Sequence, residues 1–308
     1  DLTGSRAKSW IGKSLFYSYD VMEISSLVPL LIYSKDLISL KGFRSIYASQ
    51  DKSEHSCVKF DELCLEPVDL TIDVIKSRES KIITDFTVLF GDDCVDPRPD
   101  WTLLKDSPIN HGSSSLKSYV TYKNQILSDR DQTIELHPDS NGKFKIVQLA
   151  DLHMGVGKGK CIDEYPPSPD GVKCEADPKT IKFINKVLDI ENPQMVVFTG
   201  DQVMGDKSLQ DSETTLLKAL SPVIERGIPW ALTWGNHDDE GSLSRWQLSE
   251  LVSKLPFTLF EFSEFDTHDN IFGVGNYFKQ VKDDQGKPLI TFYFLDSHKY
   301  SKAAKISP

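Results

Sequence analysis

The spacing of apolar positions changes near residue 143 and divides the chain in two. Upstream the recurring period is two. "VDLTIDV" at 68–74 alternates apolar and polar residues, and "IITDFTVLF" and "SYVTYK" are rich in β-branched and aromatic types, a pattern that suits half-buried strands. Two prolines in "CVDPRPDW", Cys94 to Trp101, oppose regular structure there, and "PDSNGK" at 138–143 is a turn cluster. Residues 1–142 are therefore expected to form a mostly β accessory domain, read as a small sandwich.

Downstream the pattern alternates between two periods. "KFKIVQLA" is an apolar strand, and "DPKTIKFINKVLDIENP" reads as a helix with Asp177 as N-cap, Pro178 in the first turn and Pro193 as stop. Its stripe is Ile181, Ile184, Val187 and Leu188. The strand "QMVVFTGD" follows, then a helix carrying Leu216, Leu217, Leu220, Val223 and Ile224 with Gly227 at its end, then the strand "PWALTWG". Nearly continuous apolar strands separated by amphipathic helices predict a parallel sheet, buried on both faces, with right-handed crossovers. "NIFGVGNYFKQV" and "LITFYFLDSH" predict two more strands, joined by a hairpin turn in "KDDQGKP". The fold class expected for 143–308 is α/β, with sheet layers and flanking helices.

Composition and charge narrow the function classes. With 39% hydrophobic and 26% charged residues and no low-complexity tract, the chain is a folded one. A net charge of -11 argues against nucleic acid, whose binding depends on Lys and Arg neutralising phosphates. The longest apolar run, Leu27 to Tyr33, contains Pro29 and is far short of the ~20 residues that span a bilayer. No membrane segment is expected in this chain, although its start at Asp1 leaves room for a signal peptide or anchor upstream. Cys161 and Cys174 bracket "CIDEYPPSPDGVKC"; either they meet in a disulfide or they are two reduced loop cysteines. A secretory-pathway or vacuolar lumen is favoured over the cytoplasm, although no Asn-x-Ser/Thr sequon supports it.

Ligands in open α/β sheets gather at the C-terminal ends of the strands, and each predicted parallel strand ends in residues that suit a metal. The first runs into Asp151-Leu152-His153, the second into Gly200-Asp201 and the third into Gly235-Asn236-His237-Asp238. Either of the first two alone is common; the tetrapeptide is expected by chance in about one chain per thousand of this length. All three in order, with one helix between each pair, form a far more specific set.

These residues look like the first three motif blocks of the calcineurin-like metallophosphoesterases, over roughly 144–300. "QLADLHMGVGKGKC", "CEADPKT", "VVFTGDQV" and "GNHDDEG" are similar to the purple acid phosphatase-related branch of plants and fungi, including its fungal cell-cycle regulatory phosphatases. "FGDDCVDPRPDW" resembles an accessory region of that branch. The resemblance implies two metal ions, divalent or trivalent, drawn from Fe, Mn and Zn. Asp151 and His153 would bind the first, Asp201 would bridge both, and Asn236 would bind the second. His237 would face the phosphate, with Asp238 available to orient it. The implied activity is hydrolysis of phosphate monoesters, on a phosphorylated protein or a small molecule. A phosphodiesterase or nuclease on the same scaffold, or a non-catalytic regulatory module, are the alternatives.

Two departures from the family's pattern matter. Where true purple acid phosphatases carry a tyrosinate ligand stands Met204, while His153 is present, so their purple chromophore is not expected. The family also completes its site with Gly-His and Gly-His-x-His blocks, which do not occur before Pro308; the C-terminal part of the domain is expected to lie beyond it. His268 and His298 lack that context and read as loop or strand-end residues. "GVGKGK" at 155–160 fails both phosphate-loop patterns and reads as a mobile rim loop whose Lys158 and Lys160 attract anionic substrate. Ser297 beside His298 points away from it on an extended segment, so no acyl-enzyme chemistry is expected.

Overall fold

Upstream, the strands between residues 32 and 69 pair antiparallel, as do those at 101–103 and 118–123, and the apolar runs downstream yield a parallel sheet. A computed structural model describes residues 32–34, 40–48, 58–60, 63–69, 83, 85–109, 116–123, 134–162, 164–169, 171–263 and 273–298. Residues 70–74 of "VDLTIDV", His268 and the tail 299–308 lie outside the described residues. Two compact units divide the chain: residues 1–89 with 100–132, and residues 90–99 with 133–308. The segment 90–99, read from sequence with the N-terminal domain, thus belongs with the α/β unit, and the division falls upstream of the turn cluster at 138–143.

In the first unit, β1 (Ile32–Ser34), β2 (Leu40–Ala48), β3 (Val58–Phe60) and β4 (Leu63–Asp69) form one sheet in the order β1-β2-β4-β3. β5 (Asp85–Phe90), β6 (Trp101–Leu103) and β7 (Ser118–Lys123) form another in the order β5-β7-β6. Phe43 and Ile46 of β2, Leu63 and Leu65 of β4, and Val120 and Tyr122 of β7 enter one buried apolar cluster. The two sheets share this core, as two inner faces of alternating strands must.

In the second unit, β8 (Ile146–Leu149), β9 (Met195–Thr199) and β10 (Trp230–Thr233) form a parallel sheet in the order β10-β9-β8. Helix α1 (Ala176–Glu191) connects β8 to β9, and α2 (Ser212–Ile224) connects β9 to β10. Leu216, Leu217, Leu220, Val223 and Ile224 of α2 are all buried, each contributing about 1.5–3 kcal/mol by leaving water. Asp211 caps α2 by accepting from the backbone N–H of Glu213 and Thr214. The N-cap of α1 is Glu175, not Asp177. Asp177 sits buried in the first turn, where its carboxylate pairs with Lys218 at 2.6 Å and accepts from Gly155 N–H. A buried ammonium competes better for that carboxylate than a backbone amide at a helix end does.

Helix α3 (Arg245–Ser253) follows β10 and is held by a capping box of Ser244 and Gln247. Trp234 Nε1–H donates to Ser249 Oγ at 2.8 Å and seats this helix at the tip of β10. The hairpin β11 (Tyr277–Lys282) and β12 (Pro288–Phe294) turns where expected, with Asp283 Oδ1 accepting from Gln285 and Lys287 N–H. Tyr277 OH donates to Leu232 O and accepts from Leu232 N–H, occupying backbone groups on the outer edge of β10. Among the described residues no helix is long and apolar enough to cross a membrane.

Candidate metal centre

The tips of the three parallel strands run past the sheet together. Asp151 N–H donates to Gly200 O at 3.0 Å, His153 N–H to Asp201 O at 2.9 Å and Met154 N–H to Gln202 O at 3.0 Å. Met204, at the tyrosine position of purple acid phosphatases, closes this zipper by donating its N–H to Met154 O. The backbone of Asp151, His153 and Asp201 is left-handed, with φ of 54°, 46° and 53°. That conformation disfavours any residue with a Cβ and persists where the surroundings over-determine it. Its effect here is convergence: one donor atom each of Asp151, His153 and Asp201 lies within 4.8 Å of the others.

Burial grades across the trio. The Asp151 side chain is mostly exposed, His153 is about one-third exposed and Asp201 is nearly buried. His153 Nε2 stands 3.8 Å from Asp151 Oδ1 and 3.9 Å from Asp201 Oδ2. Asp201 spends its other oxygen, Oδ1, on the N–H of His237 at 2.9 Å. Close approach of β9 and β10 makes this possible, because at Gly235 a Cβ would overlap both Oδ1 and N of Asp201. Two carboxylates and an imidazole are the hard and borderline donors that Fe, Mn or Zn prefer. His153 Nδ1 is buried without a hydrogen-bond partner among the described residues. A site with such donors facing one another fits a cation better than it fits an empty cluster.

Asn236 and His237 complete the third tip. Asn236 is half-buried between Gly235 and His237. The rings of His153 and His237 meet edge-on, with centroids 5.5 Å apart. His237 Nδ1 lies 2.7 Å from Glu240 Oε2, and this carboxylate holds the imidazole above its usual pKa. A proton on Nδ1 is thereby engaged, and Nε2 is left for a ligand.

Asp238 corrects the sequence reading. It does not reach the His237 ring; it is fully buried, and Oδ2 accepts from the N–H of Asp201 at 3.0 Å and Gly235 at 2.7 Å. Oδ1 accepts from Val203 N–H at 2.9 Å. Burial pushes this carboxyl up to about 6, against the pull of those three donors. Asp238 therefore clasps the tips of β9 and β10 together, and Glu240 is the partner of His237.

The loop 155–160 is likewise not the free rim that glycine content suggests. Lys218 Nζ, inside α2, bonds the carbonyls of Gly155 and Gly157 at 2.6 and 2.8 Å and the carboxylates of Asp93 and Asp177. Lys158 pairs with Glu175 at 3.1 Å, so one of its two lysines is already engaged. Cys161 and Cys174 are disulfide-bonded, with Cα atoms 5.5 Å apart. His298 has a left-handed backbone and lies outside the Asp151, His153 and Asp201 group.

Glu240, Lys218 and Arg245 carry structure around the site that sequence reasoning missed. Glu240 stands three residues after His237 in an acidic run, a spacing that brings side chains together in a helical turn. Lys218 interrupts an apolar helix face, which was a usable signal. Arg245 gave none, since an arginine at a helix start reads as solvated.

The family model described as calcineurin-like phosphoesterase matches residues 144–304. Over its full length the chain is 49% identical to Phosphatase DCR2 of Saccharomyces cerevisiae, covering 52% of that protein. It is 34% identical over 59% of its length to "Probable inactive purple acid phosphatase 28" of Arabidopsis thaliana, covering 48% of that protein. It is 36% identical over 52% of its length to "Probable inactive purple acid phosphatase 29" of the same plant, covering 42% of it. The chain thus spans about half the length of these curated relatives.

Proposed function

The chain belongs to the calcineurin-like phosphoesterase family, and from that premise we propose that it is part of a metal-dependent phosphatase acting on phosphate monoesters. The observation that carries this reading is the convergence of Asp151, His153 and Asp201 at three adjoining strand tips, with the His237 ring beside them. The 49% identity to a protein named a phosphatase supports it further.

In this reading Asp151 and His153 would hold one ion and Asn236 the second, with Asp201 serving both, and Fe, Mn or Zn are the candidates. When bound, such ions would supply Lewis acidity and lower the pKa of water, the nucleophile that hydrolysis of a phosphate ester requires. The residues supply placement and protons. His237 Nε2–H would donate to a phosphoryl or leaving-group oxygen, while the Glu240 carboxylate accepts from Nδ1 and holds the imidazole above its usual pKa. Asp201 Oδ1 anchors the His237 backbone, so the shared ligand and the proton donor keep a fixed spacing.

The substrate in this reading is a phosphorylated protein or a small phosphate ester; the charge of -11 weighs against a nucleic acid. The Cys161–Cys174 disulfide supports an oxidising compartment, the secretory pathway or vacuolar lumen. The test is hydrolysis of p-nitrophenyl phosphate against bis-p-nitrophenyl phosphate by the full-length protein with Mn2+ or Zn2+. A preference for the diester would replace the monoesterase reading with a phosphodiesterase one.

A second reading, a regulatory module without turnover, is favoured by the two Arabidopsis relatives named as probably inactive. Fewer than two ions per chain in the full-length protein, with no hydrolysis of either ester, would establish it over the first.

A further inference from the structure

Arg245 is a buried cation at the first position of α3, with 1% of its side chain exposed. Burying a guanidinium is costly unless its donors are matched, so the identity of its partners matters. Nη2–H donates to the Gly235 carbonyl at 2.5 Å, and Nη1–H donates to Asp296 Oδ1. Asp239 Oδ1 lies 3.4 Å from Nη2. Asp296, just past β12, is itself anchored: its Oδ2 accepts from Val274 N–H, its Oδ1 from His298 N–H, and its own N–H donates to Asn276 Oδ1. One side chain thus joins the third strand tip to the loop that follows the hairpin.

The carbonyl it holds is that of the Gly235–Asn236 peptide. The next peptide, Asn236–His237, is held from the opposite side, because His237 N–H donates to Asp201 Oδ1 at 2.9 Å. Both peptide planes flanking the Asn236 Cα are therefore fixed, and with them the direction of its Cα–Cβ bond. Gly235 has no side chain to help, and its own N–H is taken by Asp238. Among the described residues that set Asn236, Arg245 alone reaches beyond the three strand tips, to Asp296.

We propose that Arg245 is a positioning residue for metal binding: through the Gly235 carbonyl it presents Asn236 to the ion shared with Asp201. The proposal rests on the metal-centre reading above. Residues that orient a metal ligand without touching the ion are worth about 10–100-fold in affinity. Lysine does not replace arginine here, because its single Nζ cannot stand at both the Nη1 and Nη2 positions that hold Asp296 and the Gly235 carbonyl.

The test is calorimetric titration of Mn2+ into the metal-free full chain. Arg245→Lys is expected to bind Mn2+ at least tenfold more weakly, and Asn236→Ala to lose a similar factor. The double variant is expected to lose no more than Asn236→Ala alone, because Arg245 acts through that residue. Val252→Ala, a core truncation in the same helix, controls for stability and is expected to keep the wild-type affinity. Wild-type affinity in folded Arg245→Lys overturns the proposal. So do additive losses in the double variant, or an equal loss in Val252→Ala. If Arg245→Lys does not fold, Asp296→Asn, which loosens the anchor of Arg245, takes its place in the same comparison. Wild-type affinity in Asp201→Asn would remove the metal reading itself, and that outcome is distinct from a failure of Arg245 alone.

Discussion

Glu240 Oε2 lies 2.7 Å from His237 Nδ1, so the imidazole at the third strand tip is oriented by the residue three positions on and not by its immediate neighbour. Both side chains are about two-fifths exposed, so the pair serves orientation and charge more than stability. Glu240→Ala in the full-length protein is expected to lower kcat by about tenfold with KM nearly unchanged, a modest share of what a positioned acid contributes. Glu240→Gln, whose Oε1 still accepts from Nδ1–H, should retain most of the activity. Equal losses in the two variants would mean that charge, not orientation, is what Glu240 supplies.

Asp238 makes an opposite prediction. Its carboxylate serves three buried N–H groups, and an amide would turn a donor toward at least one of them. Asp238→Asn should therefore cost about 2–3 kcal/mol in urea unfolding. The 15N signals of the His237 ring should stay at their wild-type positions. Movement of those signals to match Glu240→Ala would restore an orienting role to Asp238.

Gly235 and Asp201 are in contact through backbone and carboxylate. Adding a methyl group in Gly235→Ala must displace Asp201, so this variant and Asp201→Asn are both expected to lose Mn2+ binding and at least a hundredfold in turnover. In the wild-type chain, chelation at 100 times the Kd of the ion removes about 2.7 kcal/mol of stabilisation. Thermal unfolding with and without chelator measures this; Asp201→Asn should show no difference between the two.

Lys218 neutralises Asp93 and Asp177 beneath the loop 155–160, and its side chain is 4% exposed. Lys218→Met strands two buried carboxylates and is expected to cost about 3–5 kcal/mol. Burial raises the Asp177 pKa, with Lys218 opposing it, so the folded chain binds that proton more tightly than the unfolded one. The corresponding stability is fully present below the ordinary carboxylate pKa and is lost as pH rises through the raised value. Removing Lys218 raises the folded pKa further, so the deficit of the variant should be smaller at pH 4 than at pH 7. A deficit independent of pH would place the cost in packing, not in charge.

The parallel order of β8, β9 and β10 is legible in the chain because these strands are mostly apolar and alternate with amphipathic helices, although Gln148 and Thr199 stay exposed. The ligand types follow from it, since any donor placed directly after such a strand reaches the same edge. Asp151, His153, Asp201, Asn236 and His237 stand out as candidates from that placement taken together with the family's motif blocks. The role of Asp238 could not, because from sequence a neighbouring acid and a neighbouring imidazole look like a pair.

What the sequence by itself determined is therefore the order of strands and helices and the donor chemistry at three strand tips. These depend on local periodicity and on covalent neighbours. What only the tertiary structure decided is which carboxylate serves which partner: Glu240 the His237 ring, Asp238 the backbone of two tips, Asp177 the ammonium of Lys218, Asp296 the guanidinium of Arg245. A carboxylate near several donors goes to the one that best compensates its burial. That choice depends on distances between residues up to 51 positions apart, and these exist only once the chain has folded.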